Sequence, residues 1–152
     1  MLRVLMMAAA VAVGVSAGAR DGHANAATTS GAGQSEGISV DLGRRDFRTY
    51  CAACHGVSGR GDGTIAEFLT INAADLTRLS KLNAGIFPRE RVRDVIDGRA
   101  DVKVHGARDM PVWGDWFSEE ATAPGTDGET REIIVRDRIE SLINYIETLQ
   151  EK

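Results

Sequence analysis

The chain has 152 residues, 26% of them charged and 43% apolar, enough for one hydrophobic core and too few for two comfortable ones. That composition excludes disordered and fibrous classes. Lys and Arg number 18 against 22 Asp and Glu, a formal charge of −4, which argues against nucleic acid or an anionic membrane as partner and favours a basic one.

The first element is a targeting segment. Arg3 is followed by an apolar run from Val4 to Val15 and then by small residues, the order of a secretory signal peptide. Val4 to Ala19 would make a helix of about 24 Å, short of the roughly 30 Å hydrocarbon core, so cleavage is expected and membrane contact only if the segment is retained. Ala19, Ala24 and Ala26 each fit the small-residue rule, and cleavage after Ala26 is favoured, giving a signal peptide over 1–26. No cysteine lies near this end, which argues against a lipid anchor. Losing Arg3, Arg20 and Asp21 leaves the mature part more acidic still.

Residues 27–40 are mainly Gly, Ser, Thr and Ala, with Gln34, Glu36 and no large apolar residue until Ile38, a composition that predicts a flexible linker. Every aromatic lies after residue 46, so the folded domain is predicted over 41–152. Asp41 is placed to cap a first helix in which Phe47, Tyr50, Cys51 and Cys54 share a face. Four glycines make 56–63 a loop. Short helical stretches are expected over 65–69 and 74–82. A further helix is expected between Pro88 and Gly98, with Val92, Val95 and Ile96 as its stripe.

Residues 99–117 lack clear periodicity and predict an ordered loop or short helix. Thr126-x-x-Glu129 resembles a capping box, and Val135, Ile139, Leu142, Ile146 and Leu149 form the seam of a last helix. With no sustained strand alternation, the fold class is all-α with long connections.

The two cysteines of the chain stand in Cys51-Ala52-Ala53-Cys54-His55, the attachment motif of a c-type haem. One helical turn apart, Cys51 and Cys54 are spaced to form thioethers with the two vinyl groups, and His55 is placed to give the iron an imidazole nitrogen. A redox disulfide would be expected within a βαβ pattern, which is absent. A zinc site would need two more thiolate or imidazole ligands, and outside the signal region only His55 and His105 remain. Export agrees with covalent haem attachment, which belongs outside the cytoplasm.

Iron held by His55 takes a sixth ligand that decides between electron transfer and small-molecule chemistry. Met110 is the only methionine beyond the signal segment. Pro111 follows it and stiffens its loop. Met110 is therefore the expected ligand, His105 is the rival, and metal binding is assigned to His55 and Met110. Arg108, Trp113 and Trp116 are candidate partners for the haem propionates. Asp115, Glu119 and Glu120 read as a solvated acidic edge.

Tyr50-Cys51-Ala52-Ala53-Cys54-His55-Gly56, the Gly59-Arg60-Gly61-Asp62-Gly63 loop and Met110-Pro111-Val112-Trp113-Gly114 ahead of a terminal amphipathic helix resemble the class I c-type cytochromes. The resemblance implies N- and C-terminal helices that cross around a covalent haem, with Gly43, Phe47 and Tyr145 at the crossing. It implies a periplasmic carrier of single electrons between redox proteins, such as a dehydrogenase or a terminal oxidase, and not an enzyme in its own right. The alternatives are the cytochrome subunit of a periplasmic dehydrogenase, or a haem peroxidase or gas sensor with an open sixth position. In one respect the chain departs from the family. Many members have a proline in the glycine loop whose carbonyl orients the haem histidine, and here Gly63 is followed by Thr64, which leaves the partner of His55 unassigned.

Overall fold

A computed structural model describes residues 27–99 and 110–151, with side chains from residue 33 onward. The signal segment over 1–26, His105 and Arg108 lie outside the described residues. The regular elements are α1 (Ala27–Asp46), α2 (Ala52–His55), α3 (Leu79–Leu82), α4 (Arg89–Asp97), α5 (Trp113–Glu120) and α6 (Gly128–Thr148), with 3₁₀ turns at Ala66–Phe68 and Leu76–Arg78. Among the described residues there is no strand, as an all-α reading requires.

The last helix carries the core. Val135, Ile139, Leu142 and Ile146 are buried along the predicted seam, Leu149 packs at its edge, and Ile143 and Tyr145 widen the buried face. A wider face is needed because α6 packs against α1, α4 and α5 together. Its first turn is capped by Asp127, whose side chain accepts from the Thr130 amide at 2.7 Å, and not by the capping box expected at Thr126.

Helices α1 and α6 cross at Gly43, where a Cβ would overlap the Ser141 carbonyl oxygen. One turn further on, the rings of Phe47 and Tyr145 meet at 5.2 Å between centroids. The three residues expected at a helix crossing are therefore together. Tyr145 also receives the Arg44 guanidinium at 5.9 Å from its ring centre.

Two expectations for the N-terminal part change. The helix does not start at Asp41 but is already present at Ala27, the first described residue, and Asp41 instead pairs with Arg44 one turn on, at 3.4 Å. The stretch 27–40 expected as a flexible linker is thus helical. Packing anchors the helix from Ser39, which meets Ser141 Oγ and the Asn144 amide, and from Val40, which rests on the core. Once a helix is nucleated, each upstream residue adds one hydrogen bond, and no proline interrupts 27–46. The contacts of Ser39 and Val40 lie close to the domain start predicted at 41.

Helix α4 follows Pro88 and stops at Gly98, which adopts φ 68°. Val92 and Ile96 are buried, while Val95 faces outward, so the buried stripe is narrower than predicted.

Candidate cofactor-attachment site

Between α1 and α2 the helix makes one π turn, Phe47–Cys51, in which the Ala52 amide reaches back to the Phe47 carbonyl. Such wide turns are frequent at functional sites. Cys51 is buried, Cys54 and His55 are half-buried, and both cysteines are free thiols.

A helix end leaves its last carbonyls without partners, and here the glycine loop supplies them. The amides of Gly56, Ile65, Gly63 and Gly61 donate to the carbonyls of Ala52, Ala53, Cys54 and His55 at 2.9, 3.0, 3.1 and 2.8 Å. The loop must lie flat against the motif to do so. Gly61 adopts φ 81°, and a Cβ there would overlap the Ala73 carbonyl oxygen. The glycines are thus required by close backbone approach.

His55 Nδ1 lies 3.0 Å from the carbonyl oxygen of Ala74. A carbonyl only accepts, so Nδ1 carries the proton and Nε2 keeps its lone pair free for a metal. The partner left open by Thr64 is therefore a backbone carbonyl from further along the chain. Ala74 is held in place by its neighbours. The Leu76 amide donates to Gly59 at 2.7 Å, and the Asp75 carboxylate takes the Thr77 amide and hydroxyl at 2.9 and 2.6 Å. The Thr77 hydroxyl holds the Asp75 carboxyl below its ordinary pKa.

Burial, followed by the nearby charges of Asp46 and Cys54, pushes the Cys51 thiol up to about 12. A redox Cys-x-x-Cys depends on a thiolate stabilised near neutral pH. Cys51 has the opposite environment.

An aromatic bridge joins the motif to the Met-Pro segment. The Tyr50 ring meets Trp113 and Phe117 edge-on, each at 5.6 Å, and Trp113 stacks on Phe117 at 6.0 Å. Met110 and Trp113 are half-buried against the same core cluster that contains Cys51. The structure therefore brings Cys51, Met110 and Trp113 to one core. Trp116 is half-exposed and donates its indole N–H to Glu120 at 2.8 Å, so that donor is engaged elsewhere than expected.

Glu120 is exposed together with Asp115 and Glu119, as expected of a solvated edge, but it is also tied into the fold. Its carboxylate also accepts from the Tyr50 hydroxyl at 2.9 Å and from Arg138 at 2.6 Å. Arg138 in turn donates to the buried Asp46 at 2.6 Å and lies 4.1 Å from the Phe117 ring centre. Burial works to raise the Glu120 pKa, but the hydrogen bonds from Arg138, Trp116 and Tyr50 outweigh it and the group stays below its ordinary value. Asp46, Glu120 and Arg138 were not singled out as a group by the sequence reading. The available signal was Arg138 itself, a charge between Val135 and Ile139 on the flank of an apolar seam.

The residues present fit a covalent haem. Two unpaired thiols are what two thioether attachments require, and an imidazole with a free Nε2 is a donor to the iron. Ile65, Phe68, Ile71, Leu82 and Ile86, in sequence between the glycine loop and α4, are exposed, Phe68 by 77% and Leu82 by 73%. A cleft of about 220 Å³ between Val40, Arg89 and Asn144 shares no residue with this site. Compared with protein-family models, with curated proteins and with solved structures, the chain matches none.

Proposed function

We propose that the chain is an exported c-type cytochrome, an electron carrier with one covalent haem held through Cys51 and Cys54 and ligated by His55 and Met110. Bound haem would supply an iron that passes between Fe(II) and Fe(III), moving one electron per cycle. The observation that carries the reading is the His55 imidazole, fixed through Nδ1 by the Ala74 carbonyl so that Nε2 is the free donor. A fixed second nitrogen is the usual arrangement of a ligating histidine. The elevated Cys51 thiol supports it by weakening the redox-disulfide alternative, and the Tyr50 to Trp113 contact supports it by joining the motif to the Met110 segment.

In this reading the chain's own residues bind, orient and shield. Cys51 and Cys54 would anchor the group, His55 and Met110 would hold its iron, and Trp113 packs against the same core cluster as Met110. Arg108 is a candidate propionate partner. Redox proteins, a dehydrogenase or a terminal oxidase, are the proposed partners, in the periplasm.

The test is direct. The exported protein, reduced and run on a denaturing gel, is expected to retain haem colour, and a colourless band overturns the reading. In the coloured protein Met110→Ala is expected to abolish the sulfur-to-iron charge-transfer band and to open the reduced form to carbon monoxide. An unchanged band removes Met110 as ligand.

A further inference from the structure

The Ala74 carbonyl that fixes His55 lies in a strap, residues 73–80, whose first three residues, through Asp75, belong to no regular element. The strap has a three-residue 3₁₀ turn and enters α3 only at Leu79. On one side it rests on the glycine loop, through the Leu76 amide and Gly59. On the other side it is tied to the end of α6. The Gln150 amide nitrogen donates to the Leu76 carbonyl at 2.7 Å and to the Ile146 carbonyl at 3.0 Å, while the Gln150 carbonyl oxygen accepts from the Ser80 amide at 2.8 Å. The Glu151 amide donates to Thr77 at 2.8 Å, and the Glu151 carboxylate holds Arg60 of the glycine loop at 3.0 Å.

One side chain thus spans three backbone groups. It locks the strap to the last turn of the longest core helix on both sides of the 3₁₀ turn. Only Asp75 separates Leu76 from Ala74, so the position of Leu76 fixes how closely the Ala74 carbonyl approaches His55.

We propose that Gln150 is a positioning residue for His55, acting through the strap on the Ala74 hydrogen bond; this rests on the reading of His55 as the haem ligand. A carbonyl accepting from Nδ1–H makes the imidazole a stronger electron donor and a more basic ligand. A better donor favours the ferric over the ferrous state. Loosening the strap weakens that donation, so the reduction potential rises.

Gln150→Met keeps the length and apolar stem of the side chain and removes all three hydrogen bonds. In the haem-loaded full chain it is expected to shift the ferrous-to-ferric ratio at fixed potential toward ferrous, on the order of tenfold, and to lower the histidine-to-iron stretching frequency. Gln150→Glu keeps an acceptor for Ser80 and loses the donor to Leu76, and is expected to shift both readouts the same way by less. Asp127→Ala, which removes the cap at the far end of α6, is expected to lower thermal stability and leave the potential unchanged.

A potential and stretching frequency that do not move in Gln150→Met, or that move equally in Asp127→Ala, overturn the proposal. The positioning is also readable without haem, from the nitrogen NMR shifts of His55. The free chain is expected to hold the Nδ1–H tautomer and Gln150→Met to mix in Nε2–H; an unchanged tautomer overturns the proposal. Absence of haem from the exported wild-type chain overturns the cytochrome reading alone, so the two failures are distinguishable.

Discussion

At Gly43 the absence of a single methyl group decides how closely the two longest helices approach. A Cβ there would meet the Ser141 carbonyl oxygen and carbon and the Leu142 amide, all backbone atoms of α6, which have no rotamer to move out of the way. Relief requires the helices to separate, and separation opens the Phe47 to Tyr145 contact beside the crossing. Gly43→Ala is therefore expected to destabilise the protein toward the upper end of the about 1–3 kcal/mol usual for overpacking, measured by chemical denaturation. A loss no larger than an exposed helical alanine substitution would show that the helices do not cross there. Gly43 was expected at the crossing only through the family resemblance, which implies a close approach of the first and last helices there. The His55 partner was not legible, since every residue except its side chain is alike at the carbonyl and nothing in Ala74 marks it as an acceptor.

Among the elements, legibility followed how local the cause was. The α6 seam and the α4 boundaries are set by neighbours three or four residues away, and the sequence carries them directly. The π turn at Phe47–Cys51 is invisible at that level, because spacings of three and four leave Phe47 and Cys51 on one face with or without the wider turn. The ties of Glu120 were not legible because its partners, Tyr50 and Arg138, come from two other elements. The start of α1 differs for a cooperative reason, and this is testable at Gly37. That residue lies inside the helix with open space where a Cβ would go. Gly37→Ala is expected to raise stability by about 0.5–1 kcal/mol, again by denaturation. A flexible linker at this position would give no gain, and that result would return the helix start to the neighbourhood of Ser39.

Across the whole molecule the excess of acidic groups does not leave them all free in solvent, because several of them, Glu120 and Glu140 among them, tie α6 to its neighbours. Glu120 joins α5 to α6 through Arg138, and Glu140 joins α6 to α4 through Arg93 at 2.5 Å and Arg89 at 3.3 Å. For Glu140, as for Glu120, burial works to raise the pKa, and hydrogen bonds from Arg93 and Arg89 with their charges more than offset it. Asp127 is also held low, mainly by the Thr130 amide it caps. Each folded-state pKa lies below its unfolded value, so the stability these groups contribute is complete above the ordinary carboxylate pKa, about 4.3 for Glu. It is lost as pH falls through the depressed folded values. The thermal midpoint is thus expected to hold level from pH 7 to about 5 and to fall progressively below about 4.3. Glu120→Gln combined with Glu140→Gln is expected to lower the midpoint at pH 7 and flatten the acid limb, because the variant has fewer carboxylates to protonate. Parallel acid limbs in the wild type and the double variant would place the acid-sensitive contacts outside the α4, α5 and α6 junctions.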